Sequence, residues 1–569
     1  MARLALWLPI VGAPLGLLFA ILVSLAISGW KVTHSAIVQV ERVWRPGESL
    51  ALRVHVLDGA GEGIPGATVT ARAVRGEQSV ELGELRDATG GGATQGRFTA
   101  PAWPAGPAAL ALTLTTPTMT FAETVDVTLA ERRDEIRGTL TISTSVKNWA
   151  DDTEPQPERV RIALRPLGRL SAGFDNVMLV RVTDPDGKPH VGPIKVRLLD
   201  GEWGAHRGGD TPPVVAEGPT DAQGLLRFEG ALATDVVRFE VEVAAPPSPV
   251  PAVMSEEAGK KSVKPGETAK EPQAVAAAAP VEPVAPAPLG SRRFRLVSFA
   301  GAVKVTAEPL AVAAGQPLAI HARGLRARKP VYIDVHGVDG AWIDTLAPVL
   351  QSEPPREWST ATLRPGFVQI EAYQFTTSPG ESAALARVQV TEGAPDGDAS
   401  LAPLIAQQRR LLEVGRVEKG FDRTLEAAWL DAVEKAEVAA ADVPLARAWL
   451  LGTLPIEVLG PPPALSTAVR EQDDLVARKR AWALGLKWFL LGGGGLFLAL
   501  TLVVVVVSHR RAAGALTREI LGDGATAEIA QEIARAQRAV LLRAVALVVT
   551  MALGLVLTVV VLDKLLWQV

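Results

Sequence analysis

Asp334, His336, Asp339 and Asp344 form the densest polar constellation in the sequence. On a strand Asp334 and His336 lie two apart and share a face, so they could offer two ligands to a metal ion. The same residues suit a hairpin that turns at Val338-Asp339-Gly340 and shows a polar outer face. None of the seven histidines pairs with another at metal-ligand spacing. Asp184, Asp186 and Asp221 raise a calcium reading, because carboxylates at the turns of sandwich domains can bind that ion. Aspartates also favour such turns for backbone reasons alone. Both metal readings stay open, and no metal, cofactor or catalytic residue is assigned. No serine nucleophile elbow, HExxH, glycosidase-like framework or nucleotide loop occurs, so the expectation is a protein that is not an enzyme. A cysteine count of zero removes disulfides, thiolate metal sites and cysteine nucleophiles together. Trp103, Trp149, Trp203, Trp342 and Trp358 sit beside Pro, Gly and Asp. Tryptophans so placed serve as sugar or protein contacts, or as plugs for the ends of a sandwich core.

The elements that must carry these residues are short. With 569 residues the chain is too long for one core, and Pro 42 with Gly 52 suits turns and linkers. A net charge of -4 gives no electrostatic case for nucleic acid. After Trp30, short runs alternate apolar and polar residues between Gly, Pro and Asp, which predicts antiparallel sandwiches. Ser49-Leu50-Ala51-Leu52-Arg53-Val54-His55-Val56-Leu57 has period two, and Asp58-Gly59, Ile64-Pro65-Gly66-Ala67 and Thr68-Val69-Thr70-Ala71 follow. The phrase recurs at Val177–Val182, Asp184–Pro189 and Ile194–Leu198, with a further hairpin signal at Thr220–Gly224. A third copy is expected to begin near Phe294, where Ala314-Gly315-Gln316-Pro317-Leu318 matches Pro46-Gly47-Glu48-Ser49-Leu50. Domain-sized spacing predicts tandem sandwiches rather than a solenoid.

Trp44-Arg45-Pro46-Gly47-Glu48, with the downstream Asp-Gly and Pro-Gly phrase, resembles the macroglobulin-type sandwich domains of alpha-macroglobulins and related bacterial immunoglobulin-like repeats. The resemblance covers roughly residues 36–392 and implies a fibronectin-like seven-stranded sandwich with a binding or spacing role. The thioester of trapping macroglobulins needs a cysteine, so covalent trapping of a protease is excluded here.

The expected fold is mainly β, with immunoglobulin-like or macroglobulin-like sandwiches at 36–130, 134–243 and 292–392. Residues 244–291, rich in Ala, Pro, Val and Glu, read as a semi-extended linker between the second and third, with Lys260, Lys261 and Lys264 as its charged patch. Residues 400–486 take a helical period through Leu404, Gln408, Leu411, Phe421, Leu425, Trp429 and Val433. They read as a membrane-proximal helical subdomain.

Three transmembrane helices are expected. Residues 1–30 read as an anchor that is retained, since the apolar run from Leu4 to Gly29 exceeds a signal-peptide core and Ala26-Ile27-Ser28 is only a loose cleavage site. Gly12 and Gly16 give a GxxxG spacing for a close helix neighbour. The second span covers 487–508, where Gly492-Gly493-Gly494-Gly495 suggests close helix packing, and the third covers 544–563, followed by Trp567. Between them, 509–543 carries Arg510, Arg511, Arg518, Arg535, Arg538 and Arg543, so this hairpin is placed in the cytoplasm. Residues 31–486 then lie outside, in the periplasm of a bacterial inner membrane. The function expected is a non-catalytic scaffold or binding protein, in the membrane and with a protein partner or a membrane complex. A polysaccharide or protein ligand fits such a body. Two alternatives are a sensor working through Ile520, Ile529 and Ile533 on the cytoplasmic hairpin, and a non-covalent, macroglobulin-like protease-binding protein.

Overall fold

The structure is a computed structural model. It describes residues 2–565, apart from 88–90, 132–154, 246–287, 299–301, 327–328, 338, 350–355, 360–362, 364, 376–382, 414–421, 455–458 and 522–526. Trp149 and Trp567, the lysines at 260, 261 and 264, and the side chains of Ile520 and Ile529 fall outside the described residues. The chain forms two units, one of Met1–Ile37, His55–Ile64 and Leu465–Val569, the other of Val38–Val54 and Pro65–Ala464. The first is mostly helical and the second mostly β.

The first group of strands is β1 (His34–Val40), β2 (Val43–Trp44), β3 (Ser49–Asp58), β4 (Thr68–Arg75), β5 (Gln78–Arg86), β6 (Ala93–Thr99), β7 (Gly106–Thr115) and β8 (Thr120–Leu129). One sheet has the order β2-β8-β7-β4-β5, and β1-β3-β6 form another, extended by the short strand β26 (Leu465–Ser466) beside β1. The period-two reading of β3 puts Leu50, Leu52 and Val54 into the core. Its other face carries Ser49, Ala51 and Arg53.

The second group runs through β9 (Arg161–Pro166), β10 (Phe174–Thr183), β11 (Pro193–Asp200), β12 (Glu202–Trp203), β13 (His206–Arg207), β14 (Val214–Pro219), β15 (Leu225–Leu232), β16 (Val236–Ala244) and β17 (Pro288–Val297). Sheets β13-β12-β15-β10-β9 and β14-β11-β16-β17 share one core, built from Met178, Val180 and Val182 on one side and Val196, Phe239 and Phe294 on the other. Here the structure corrects the sequence reading. Phe294 does not open the third sandwich; it pairs with Phe239, and Leu296 with Val237, so β17 is the last strand of the second. Residues 246–287 are therefore an insertion between two adjacent strands of one sheet, with Ala244 opposite Pro288, and not a linker between domains. Composition marked where the Ala/Pro segment lies, but it carries no signal for the strand that returns to pair after it.

The third group is β18 (Val303–Glu308), β19 (Ala311–Ala313), β20 (Pro317–Gly324), β21 (Val331–His336), β22 (Trp342–Val349), β23 (Arg356–Ser359), β24 (Gly366–Tyr373) and β25 (Ala384–Thr391). Sheets β18-β20-β23 and β19-β25-β24-β21-β22 enclose Val305, Ile320, Ile333, Val335, Ile370 and Val388. Helices α2 (Ala402–Glu413), α3 (Arg423–Lys435) and α4 (Val443–Gly452) follow. Asp422 caps α3 by accepting from the N–H groups of Thr424 and Leu425, and Pro444 occupies the first turn of α4. Their apolar stripes, through Leu404, Trp429, Leu430, Trp449 and Leu450, close over Leu179 and Leu225 of the second sandwich.

In the other unit lie α1 (Ala2–Ser28), α5 (Ala468–Trp488), α6 (Gly494–Leu521) and α7 (Ala527–Leu565), with five π-helical residues, Phe489–Gly493, joining α5 to α6. Two stretches, Ala468–Ala515 and Gln531–Leu565, are long and apolar enough to cross a membrane; the described apolar part of α1, Pro14–Ser28, is shorter. The apolar windows 487–508 and 544–563 lie inside longer helices, and much of the expected hairpin 509–543 is itself helical. Arg, Glu, Gln and Ala around these ends are strong helix formers, so the backbone stays helical after hydropathy has fallen. Ala20 and Ile27 of α1 pack with Leu486, Leu490, Val559 and Leu562. The glycine run gives close packing at one position: a Cβ on Gly494 would lie 2.6 Å from Leu555, while Gly492, Gly493, Gly495 and Gly16 face open space.

Candidate functional site

The predicted constellation around His336 is dispersed among partners of its own. Asp334 and His336 do share a face of β21, but each is wholly buried and engaged elsewhere. Asp334 accepts from Arg53 Nη2 at 2.7 Å through Oδ1 and from the Tyr373 hydroxyl through Oδ2. His336 Nε2 lies 3.6 Å from Glu371 Oε2. Asp339 pairs with Arg45 at 3.1 Å, and Asp344 takes Arg97 at 3.2 Å and Trp358 Nε1 at 2.8 Å. A guanidinium thus stands where a metal ion bound to Asp334 would sit. Among the described residues no three His, Asp or Glu side chains converge to hold a metal ion.

These contacts make a joint between the first and third sandwiches. Arg53, outward on β3, enters the outer face of the sheet that holds β21 and β24. Its Nε donates to Gln95 Oε1 (2.8 Å), Nη1 to the Tyr373 hydroxyl (2.8 Å), and Nη2 also to Thr345 Oγ1 (2.8 Å). The guanidinium lies 5.3 Å from the ring of Trp342 and 5.0 Å from that of Tyr332. Burial works against the charge on Arg53, but Asp334 and Tyr373 more than offset it and raise its pKa. Burial, then Asp334, push the Tyr373 phenol well up against the opposing pull of Arg53. Around this core, Ser49 Oγ donates to the Ile343 carbonyl and the Trp342 N–H to Glu41 Oε1.

The same outer face continues beneath the helices. Glu371, fully buried and raised in pKa chiefly by desolvation, accepts from the N–H groups of Leu459 (2.7 Å) and Gly460 (2.9 Å). Arg387 Nη1 donates to the carbonyls of Leu451 and Leu454, and Arg447 Nε to Gln389 Oε1 at 2.8 Å. On the second sandwich, Arg181 meets Glu426 of α3 at 2.7 Å and stacks between Trp429 and Trp449, at 4.9 and 4.7 Å. None of Arg53, Arg181, Arg387, Glu371 and Glu426 was singled out from sequence. One signal existed for Arg53: its neighbours on the same face, Ser49 and Ala51, are small enough to let another domain approach.

The calcium candidates are turn formers. Asp184 Oδ1 accepts from the N–H groups of Asp186 (3.0 Å) and Lys188 (2.8 Å), and Asp221 Oδ1 from Gln223 (2.9 Å) and Leu225 (2.7 Å). The Gln223 carbonyl in turn receives Trp429 Nε1 at 3.0 Å. Burial raises the Asp221 pKa to about 6; its two backbone bonds oppose this and Asp442 adds to it. A folded-state pKa above the ordinary value means that this group favours the folded state most when protonated. Its contribution falls as pH rises from about 4 through about 6. Asp221→Asn keeps the Oδ1 acceptor without the charge. It is expected to unfold at higher temperature than the parent at pH 7.5 and to match it at pH 4, as read by circular dichroism. A lower midpoint at pH 7.5 would show that the charged carboxylate is needed there.

Of the aromatic candidates, Trp203, Trp342 and Trp358 are buried, while Trp103 is half-buried. Trp203 plugs the second core against Phe228 and Phe239.

A large opening lies in this body among the described residues. A cleft of about 930 Å³ lies between the second sandwich (Leu167, Val177, Arg227), the third (Val305, Ala307, His321) and α4 (Leu445, Ala448, Leu451). Such a volume lies at the upper end of the range of small-ligand sites. Lys304 spans one end, donating from Nζ to the Arg169 carbonyl (2.9 Å) and to Asn176 Oδ1 (3.0 Å). Burial lowers its pKa to about 8 against the pull of Asp175.

No family model matches the sequence, and no curated protein matches it. Among solved structures the chain is similar to trypsin-activated alpha-2-macroglobulin from Escherichia coli, at 12% identity over 64% of this chain and 24% of that one, with a TM-score of 0.15. It is similar to the native conformation of the E. coli alpha-2-macroglobulin at 11% identity, covering 63% of this chain and 22% of that one, TM-score 0.15. A tetra-tandem repeat from the extending region of a large adhesion protein matches at 10% identity over 63% and 75% of the two chains, TM-score 0.14. The chain spans about a quarter of the length of these macroglobulins. At these identities and TM-scores the matches assign neither fold nor family, and the functional argument rests on this chain's own residues.

Proposed function

We propose that this chain is an integral protein of a bacterial inner membrane that presents its sandwiches in the periplasm as a non-catalytic binding scaffold. The observation that carries this reading is the use made of polar side chains in the body. Arg53, Asp334, Glu371, Arg387 and Arg181 are buried and hold sandwiches and helices to one another. Groups committed to such joints are not poised for proton transfer or nucleophilic attack. The arrangement suits a body that keeps several sandwiches in fixed register around a cleft.

The membrane part of the proposal has three spans, α1 being the first. Its Ala20 and Ile27 share a cluster with the two longer helices, and Trp30 meets Trp482 edge-on at 6.4 Å, as aromatic residues at one membrane interface would. Lys487 and Asp563 pair at 3.3 Å, an ion pair suited to that same interface. Arg510 and Arg511 on α6, with Arg535 and Arg538 on α7, mark the opposite, cytoplasmic end.

The absence of cysteine makes sidedness directly measurable. In Asp186→Cys and Ala515→Cys variants, a membrane-impermeant maleimide is expected to label position 186 in intact spheroplasts. Position 515 should react only after permeabilisation. Labelling in the reverse order would overturn the orientation, and labelling of both in intact spheroplasts would overturn the spans.

A further inference from the structure

Lys304 projects from the outer face of β18 together with Thr306 and Glu308, while Val303, Val305 and Ala307 fill the core behind it. On the neighbouring strand β20, His321 lies opposite Thr306, and Lys304, Thr306 and His321 all line the cleft. Lys304 is half-buried, and its Nζ reaches the second sandwich, donating to the Arg169 carbonyl (2.9 Å) and to Asn176 Oδ1 (3.0 Å). Both acceptors are neutral. The Asn176 amide is fixed in this orientation, because its Nδ2 donates to the carbonyls of Ser171 (2.9 Å) and Phe174 (2.8 Å). Asp175 pulls on the amine without forming an ion pair with it. Two neutral acceptors satisfy both N–H bonds of an uncharged amine and leave its lone pair unused, whereas an ammonium there has a third N–H and no carboxylate partner. These surroundings favour the uncharged, nucleophilic form, in line with the lowering of its pKa to about 8. The acceptors also tolerate the loss of a donor. The Ser171 N–H serves Asn176 Oδ1 at 2.9 Å, and Ser171 Oγ serves the Arg169 carbonyl at 3.4 Å.

We propose that the cleft binds a small aldehyde with an apolar body and that Lys304 captures it as an imine. The amine nitrogen attacks the carbonyl carbon and forms the new C–N bond. The carbonyl oxygen then leaves as water with the two amine hydrogens, and uptake of one proton gives the iminium. The iminium keeps one N–H, which can still donate to the Arg169 carbonyl, so neither acceptor is stranded. His321, one diagonal step from Lys304 across the β18–β20 pair, is placed to pass a proton to the departing oxygen. Leu310, Leu445, Ala448 and Leu451 supply the apolar surface for the rest of the molecule, in a cleft of the size that small ligands occupy. The step needs no oxidant, reductant or metal. This deepens the reading of the body as a binding scaffold and rests on it; membrane sidedness is tested separately, so either can fail alone.

The test uses the full chain in phosphatidylcholine nanodiscs, whose lipid carries no primary amine, with 3-phenylpropanal as the apolar probe and acetaldehyde as its small counterpart. Cyanoborohydride reduces each iminium to a stable secondary amine, and peptide mass spectrometry reads its position. At pH 7.5, 3-phenylpropanal should label Lys304 more than about ten-fold faster than exposed Lys188. That ratio should fall as the pH is raised to about 10, because ordinary lysine amines then become uncharged as well. Acetaldehyde leaves the apolar walls unused, and with it the ratio should be lower by about three-fold or more. Ala441→Trp fills the cleft from an exposed position just before α4 and should bring the 3-phenylpropanal ratio down to the acetaldehyde value. Should that variant fail to fold, the comparison of the two aldehydes on the parent still decides. Equal labelling of Lys304 and Lys188 would overturn the proposal. So would fast labelling of Lys304 that does not depend on the aldehyde, since the reactivity would then belong to the amine alone and not to a ligand held in the cleft.

Discussion

Replacing Arg53 by alanine is expected to cost about 3–5 kcal/mol of stability, the typical result of breaking a buried ion pair from one side. Both Arg53 and Asp334 are 0% exposed, so no solvent reaches the carboxylate once the guanidinium is gone. The same change removes the donors to Gln95, Tyr373 and Thr345, leaving polar atoms without partners in the joint. Urea unfolding followed by tryptophan fluorescence should show the loss as an earlier transition, because Trp342 stacks on the guanidinium. A multidomain chain need not unfold in one step, so the midpoint of the joint's own transition is the quantity to compare. The pair Arg53→Met with Asp334→Leu separates the two contributions. If the cost of the single change is the stranded charge, the double variant should recover most of it, since apolar replacement of a whole buried pair is often neutral. If the double variant is as weak as the single one, hydrogen bonding and shape at the joint matter more than charge.

The contrast between Arg53 and its surroundings explains what was legible in the sequence. Leu50, Leu52 and Val54 alternate with shorter or polar residues, and that pattern placed them correctly in a sandwich core. Ile333 and Val335, which alternate with Asp334 and His336, are buried for the same reason. Period two, however, says only which face is apolar. It does not say whether the other face meets water or another domain. In β21, β24 and β25 the polar face, through Asp334, His336, Glu371, Gln369, Arg387 and Gln389, is as buried as the apolar one. The residues that cover it come from 38–54 and from 443–460, far away in sequence, and no local signal joins them. The dense polar stretch on β21 belongs to an interdomain surface, with Asp334 paired to Arg53 and Asp344 to Arg97. The boundary at Phe294 failed because strand pairing across the insertion 246–287 is a non-local fact. Turns were read more successfully: Asp184 and Asp221 are held by the backbone N–H groups that their side chains were expected to favour.

Arg181 supports the second large expectation, that Arg181→Ala will release the helices from the second sandwich. Arg181 is 7% exposed and Glu426 only 1%, so the carboxylate would be left almost wholly buried without its partner. The loss should again be about 3–5 kcal/mol, with the two cation–π contacts to Trp429 and Trp449 forfeited as well. Unlike the Arg53 joint, this one sits between a sheet and three short helices, none longer than 13 residues. Helices of that length are marginal alone and depend on packing for their stability. The expected signature is therefore local: faster proteolysis and amide exchange across 402–452, while the strands of the second core keep their protection. Glu426→Gln offers a graded comparison, because it retains size and an acceptor oxygen and removes only the charge. It should fall between the parent and Arg181→Ala. If Arg181→Ala instead loosened the strands and the helices together, the helical layer would be an integral wall of the second sandwich rather than a layer docked upon it. The wall formed by α4 beside the cleft would then share the stability of the whole sandwich.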